Sequence, residues 1–331
     1  MNREKIGRGL PVMIVATALT LLAVGSASTA TDAAPSPPAQ SFSYSITRDS
    51  PSSALGLHPA DIVGVGGVLL IACPELGLTC TDPSNGTLDD ITALSFGQDF
   101  DGNGAPPIVF SVDSNAQGKS ATAVRSEATC QPAEARADAF QSTLDGANEQ
   151  ELDGDGVACA NNGGFALALT ESAPSDDVDA LAHDPCTTVD TNCDGIPEGP
   201  VFLALAPQSP TLAEIGATSA DILVAAPGVN PEIWLTSAAI GLRSDDVIDG
   251  LCLQTEADSP TGASRVIFSL APGSPSLTAA GAGPGDLLRA PLRLAIHADA
   301  VGLAATDNVD GLLCGSDLRF SDLYLPVISR Q

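Results

Sequence analysis

The sequence predicts an all-β fold, a small four-bladed β-propeller, with a pair of β-sandwich domains as the alternative. Three observations lead there. The same four signals recur in the same order four times along the chain. The apolar runs are short and bounded by turn residues, and 25 prolines and 32 glycines among 331 residues leave little room for long helices. A repeat of this size marks an array of small units, none of which buries its apolar face alone.

Residues 1–30 read as an export signal: Arg3, Lys5 and Arg8 are followed by an apolar stretch from Leu10 to Val24 and a cleavable Ser28-Thr29-Ala30. Residues 31–41 form a Pro/Ala-rich linker. Residues 42–331 are then one β-repeat domain, with units at about 42–97, 108–184, 200–253 and 265–314. Each unit opens on an alternating apolar run: Tyr44-Ser45-Ile46, Phe110-Ser111-Val112, Leu203-Ala204-Leu205 and Phe268-Ser269-Leu270. Three of these lead into a turn at Ser50-Pro51, Ser209-Pro210 or Ser274-Pro275. Next comes an Asp before an apolar pair, at Asp61, Asp138, Asp221 and Asp286. The third signal is Leu76-Gly77-Leu78, Leu167-Ala168-Leu169, Ile240-Gly241-Leu242 or Val301-Gly302-Leu303, with a strand expected before or at it, as in Glu232-Ile233-Trp234-Leu235. An acidic run comes last and opens a strand, at Asp89-Asp90, Asp176-Asp177, Asp245-Asp246 and Asp307-Asn308. Four strands per unit suit a propeller blade, and the apolar tail from Leu318 to Ile328 could help close the ring.

Removing residues 1–30 from the 13 basic and 41 acidic residues leaves a net charge near −30. Nucleic acid and anionic membrane would be repelled, whereas cations would be attracted. No later run is long enough to span a membrane. The expected partner is a protein or a surface polymer outside the cytoplasm. Eight cysteines in an exported chain predict disulfides. Spacing favours Cys73 with Cys80, Cys130 with Cys159 and Cys186 with Cys193. Cys252 and Cys314 are left as a long-range staple between neighbouring repeats.

Three loops place acids and amides at alternate positions before a glycine: Asp99, Asp101 and Asn103; Glu151, Asp153 and Asp155; Asp190, Asn192 and Asp194, with Glu198 further on. Calcium wants six to eight hard oxygens, and a curled loop ending in Gly brings alternate side chains together. The first resembles the opening of an EF-hand, although Phe110 stands where that motif has its bidentate Glu. The second, with Cys130 upstream and Cys159 after it, is similar to the Excalibur module. The third resembles the loops of integrin-type (FG-GAP) propeller blades and thrombospondin type 3 repeats. Those resemblances imply calcium as the bound ion. In outline the chain resembles secreted β-repeat proteins of bacterial exteriors.

Two further acid sets follow from the repeat: Asp61, Asp138, Asp221 and Asp286, and Asp179, Asp249 and Asp310 with Thr92 in the fourth place. Either would form a ring in a closed propeller. The expectation for both is that each Asp accepts backbone N–H groups at a strand start. The alternative is a ring of carboxylates relieved by a cation or by protons. Signatures of hydrolases, metalloproteases, phosphate-binding loops and haem sites are absent, and His58, His183 and His297 occupy different places in their units. The sequence therefore predicts a non-catalytic interaction or structural module stabilised by calcium and disulfides. The alternative is an extracellular hydrolase with acids at the mouth of the ring.

Overall fold

A computed structural model of the chain describes residues 41–80, 88–96, 108–142, 144–157, 159, 165–183, 200–226, 229–253 and 266–315. The first sheet contains β1 (Ser41–Ile46), β2 (Ile62–Gly64) and β3 (Val68–Ile71). The second contains β4 (Ile91–Phe96), β5 (Ile108–Val112), β6 (Ala139–Ser142), β7 (Glu149–Asp153) and a short parallel addition, β8 (Phe165–Ala166). The third is built from β9 (Val178–His183), β10 (Val201–Leu205), β11 (Ile222–Ala226) and β12 (Val229–Leu235). The fourth is built from β13 (Ile248–Leu253), β14 (Val266–Leu270), β15 (Leu287–Arg289) and β16 (Arg293–Ile296). A last strand, β17 (Val309–Gly315), returns to pair antiparallel with β1 and completes the first sheet. These four sheets are the blades of a four-bladed propeller, as expected, and the two-sandwich alternative falls.

The innermost strands are β4, β9, β13 and β17, and each packs on the next around the axis. Opposite members, β4 with β13 and β9 with β17, also come within 8 Å between Cα atoms, so the axis is narrow. Every innermost strand is the last signal of a sequence unit. The units drawn from sequence are thus displaced by one strand from the blades, and closure follows from that displacement. The tail from Leu318 to Ile328 lies outside the described residues.

The core is divided into four apolar layers, one between each pair of neighbouring blades. Period-2 alternation supplies both faces of a strand to different layers. In β10, Val201, Leu203 and Leu205 face blade 2, while Phe202 and Ala204 face blade 4. In β5, Ile108, Phe110 and Val112 face blade 1, and Val109 faces blade 3. Successive residues of these runs are therefore buried on opposite faces, against different neighbouring blades.

The remaining signals are joints. Ser50, Ser209 and Ser274 accept through Oγ from the backbone N–H of Asn308, Asp177 and Val247, at 2.8, 3.0 and 3.1 Å. Asp307, Asp176 and Asp246 in turn accept from the backbone N–H of Ser52, Thr211 and Ser276, the residues just after the prolines. Blade 2 lacks the Ser-Pro pair, and there Asp89 accepts from Gln117 and Gly118 instead. These bonds show that Asp246, not Asp245, matches Asp89, Asp176 and Asp307, a one-residue correction to the repeat alignment. The Leu-Gly-Leu signal is no strand. It ends a short helical turn at Gly77, Gly241 and Gly302, with φ of 74°, 86° and 88°; the expected strands precede it. Between blades, one backbone bond recurs at all four junctions: the N–H of Ile91, Val178, Ile248 and Val309 donates to the carbonyl of Pro59, Arg136, Ser219 and Pro284.

Candidate metal centres

Asp61, Asp221 and Asp286 stand directly before β2, β11 and β15, the third strands of their blades counted from the axis, and behave as corner pins. Each uses both carboxylate oxygens on backbone N–H groups: Asp61 on His58 and Cys73, Asp221 on Thr218 and Ser237, Asp286 on Gly283 and Ala298. The hydrogen bonds replace water at a buried charge. For these three the expectation of backbone capping holds.

The fourth member departs from the set. Asp138 is fully buried, its Oδ1 accepts from the Gly154 N–H at 2.9 Å, its Oδ2 meets no backbone, hydroxyl or amide donor, and its carboxyl lies in hydrogen-bonding reach of that of Glu171. Asp153 and Glu171 bring carboxylate oxygens to the same point, so that one oxygen from each of the three lies within 4.8 Å of the others. Asp153 and Glu171 are only 2% and 3% exposed. Gly154 makes the approach possible, because a Cβ there would collide with Glu171 Oε1 and crowd Ala137. Burial pushes Glu171 up to about 8, against a hydrogen bond with Asp138 and with added repulsion from Asp155 and Asp153, and burial followed by repulsion from Glu171 raises Asp138 well above the carboxylate range. Asp153 is raised by burial and by Asp155, against hydrogen bonds from Gly156 and Val157. Three buried carboxyls with so few donors need either protons or a cation. A cleft of about 240 Å³ lined in part by Asp113, Arg136, Glu171 and Ser175 opens beside Glu171.

Of the loop residues proposed from sequence, Asp153 belongs to this cluster. The Asp155 N–H donates to Glu171 Oε1 at 3.1 Å while its carboxylate accepts from Val157, and Glu151 is buried on β7 outside the convergent three. Asp99, Asp101, Asn103, Asp190, Asn192, Asp194 and Glu198 lie outside the described residues. Sequence reasoning placed Asp138 among the corner residues and passed over Glu171. Nothing in linear spacing joins these two acids to Asp153; the return of the chain through Leu167 to Thr170 does. Glu127 and Glu134 converge near Cys130 and Cys159, but those sulfurs are joined as a disulfide and offer no thiolate.

The second acid set lies at the axis, and there the capping expectation fails. In every blade one residue of the innermost strand is skipped by the ladder. Val112 and Ser111 pair with Ile91 and Ala93, Leu205 and Ala204 with Val178 and Ala180. Leu270 and Ser269 pair with Ile248 and Gly250, Ile46 and Ser45 with Val309 and Gly311. The skipped residues are Thr92, Asp179, Asp249 and Asp310. A β-bulge redirects its extra residue out of the ladder. Burial and then mutual repulsion raise Asp179 and Asp310 well above the usual range, and burial pushes Asp249 up to about 7. At the same end, Asp90 and Asp177 are pushed up to about 7, Asp90 by burial and then Asp113, Asp177 by burial against the opposing pull of Arg136.

No family model, curated protein or solved structure matches the chain. The functional reading therefore rests on these sites alone.

Proposed function

We propose that this propeller is an exported, non-catalytic interaction module whose second blade is held together by calcium and whose ring is stapled by disulfides. The observation that carries the calcium reading is the Asp138 carboxyl, buried with Asp153 and Glu171 and with no backbone, hydroxyl or amide donor for its Oδ2. A hard divalent cation satisfies all three carboxylates at once and cancels their repulsion. The three described disulfides, Cys73–Cys80, Cys130–Cys159 and Cys252–Cys314, support an oxidising compartment, and no helix among the described residues is long and apolar enough to cross a membrane. Cys186 and Cys193 lie outside the described residues. A protein partner is supported by the outer hairpin of blade 1, where Val65, Val68 and Leu69 are 48%, 57% and 47% exposed. Acids do gather at the axis, which the hydrolase alternative requires. However, His58 and His297 stand at blade corners beside Asp61 and Asp286, away from those acids.

Extracellular calcium modules bind at about 10⁻⁴ to 10⁻³ M. A ligand specific to the folded state contributes about 2.7 kcal/mol at a hundredfold excess over its Kd. Calcium should therefore raise the melting temperature by several degrees over sodium at matched ionic strength. The double variant Asp138→Asn, Glu171→Gln should lose part of that rise. Identical melting curves in calcium and in chelator would remove calcium from this reading.

A further inference from the structure

We propose that reduction of the Cys130–Cys159 disulfide uncovers a zinc site, in which the two thiolates and the carboxylates of Glu127 and Glu134 hold one metal ion. The site shares no residue with the calcium centre of blade 2 and stands if that centre binds nothing.

The donors already converge in the oxidised chain. One oxygen from each of Glu127 and Glu134 and the sulfurs of Cys130 and Cys159 all lie within 4.8 Å of one another. Glu127 Oε2 is 3.4 Å from Cys130 Sγ. Burial and then the charge of Glu127 raise the Glu134 carboxyl. Neither Cys73–Cys80 nor Cys252–Cys314 gathers acids around it in this way. Glu127, Cys130 and Glu134 are placed without help from the sulfur–sulfur bond. Glu127 lies on the short helix Ala123–Ala128, and its carbonyl accepts from the backbone N–H of both Cys130 and Glu134, each at 3.2 Å. Cys159 arrives on the loop after β7, where Asp153 and Asp155 accept from the N–H groups of Gly156 and Val157.

Cys130 is buried, but Cys159 is exposed and opens the bond to a reductant. A phosphine attacks the Cys159 sulfur, the S–S bond breaks and Cys130 leaves as a thiolate. Water then releases the phosphine as its oxide, so that one phosphine supplies the two electrons and both cysteines end as thiols. Two thiolates beside two carboxylates repel one another unless protons or a divalent cation intervene. Zinc displaces the thiol protons, and thiolates select it over calcium. Tetrahedral zinc stands about 2.3 Å from sulfur and about 2.0–2.2 Å from a carboxylate oxygen, a mixed shell that these four donors supply. The metal then takes over the disulfide's task of tying the helix end to the β7 loop.

The test uses the full chain, reduced with a phosphine, desalted under argon and titrated with cobalt(II) as a spectroscopic stand-in for zinc. The reduced parent should gain a cobalt–thiolate charge-transfer band and the visible bands of tetrahedral cobalt. Zinc should abolish both, and reoxidation should expel the metal. Cys130→Ser with Cys159→Ser should bind one thiolate-ligated cobalt fewer than the parent, whatever the other cysteines hold. Glu127→Gln with Glu134→Gln keeps both thiols and should weaken cobalt by more than about tenfold. An equal band in the cysteine variant, or unchanged affinity in the glutamate variant, overturns the proposal. Should either variant misfold, X-ray absorption at the zinc edge of the reduced parent, loaded below one equivalent, decides. A shell of two sulfurs and two oxygens supports the site, and any other shell refutes it.

Discussion

Asp221 and Asp138 occupy the same place in their blades yet hold opposite accounts with their surroundings. Asp221 accepts from the Thr218 N–H and hydroxyl and from the Ser237 N–H, so its charge is fully answered. Replacing it with Asn turns an acceptor into a donor against backbone donors, at a cost of about 1–3 kcal/mol. Asp138 accepts one backbone N–H, from Gly154, and otherwise meets acids, with the Glu171 carboxyl in hydrogen-bonding reach. Asp138→Asn in chelator should therefore cost less than Asp221→Asn, and can stabilise; paired thermal melts decide, and equal losses would refute the contrast. A pH dependence follows from the same residues. Glu171 is raised from 4.5 to about 8, and Asp249, Asp90 and Asp177 from 3.8 to about 7. Between those limits the folded chain binds protons that the unfolded chain has released. Stability in chelator is then highest below about pH 4 for these groups and falls as pH rises through 7 to 8. The chelated protein should melt lower at pH 8.5 than at pH 5.5, and calcium should narrow the gap. A flat profile would mean that these carboxyls keep ordinary values.

At the scale of elements, repetition made the joints legible and hid their conformation. Recurrence marked Asp61, Asp221 and Asp286 as corner residues because a blade turn needs the same acceptor each time. It also marked Leu-Gly-Leu, but two flanking apolar residues say only that the site is buried, not that it is extended. The glycine carries the missing information. Its left-handed φ closes a helical turn, and blade 2 reaches φ 56° at the same point with Ala168. An L side chain pays about 1 kcal/mol there, so Ala168→Gly should raise stability by up to that amount. The opposite change tests the inner strands. Gly311 lets Leu94 of the next blade pack against the strand, and an added Cβ would lie 2.5 Å from Ser45 Oγ and 2.9 Å from Leu94 Cβ. Gly311→Ala should destabilise by about 1–3 kcal/mol, although Ala93 and Ala180 stand at the matching positions of blades 2 and 3. The difference lies in the serine. Ser45 Oγ crosses to the Ile91 carbonyl of the next blade, whereas Ser111 Oγ turns to Asp138 of its own blade and blade 3 has Ala204. Chemical denaturation of both variants measures these signs. The axial bulges were beyond sequence reasoning, because a one-residue slip of the ladder leaves no trace in a pattern of apolar positions. The carboxylate set they display was visible only as a recurrence.

For the whole molecule, stability depends on how the ring is closed. Blade 1 is assembled from both ends of the domain, with β17 paired to β1 from Ser41 against Gly315 to Ile46 against Val309. The Tyr44 hydroxyl reinforces the seam by donating to the Val301 carbonyl of blade 4 at 2.8 Å. The seam also carries the Cys252–Cys314 disulfide, which ties the innermost strands of blades 4 and 1 across 62 residues. Cys73–Cys80 instead spans 7 residues at one blade corner. Cross-linking removes unfolded-state entropy that grows with the logarithm of the loop length. The seam disulfide should consequently contribute about 2 kcal/mol more than the corner one. Without it, the apolar layer between blades 4 and 1, which includes Phe42, Tyr44, Leu287 and Val301, is held by its own packing, the β17–β1 ladder and the hydrogen bonds of Tyr44 and Val309. Cys252→Ser with Cys314→Ser should lower the melting temperature well below that of Cys73→Ser with Cys80→Ser. It should also broaden the calorimetric transition as blade 1 opens ahead of the other three. Equal shifts for the two pairs, with both transitions sharp, would show that the seam holds without its staple and that the ring unfolds as one unit.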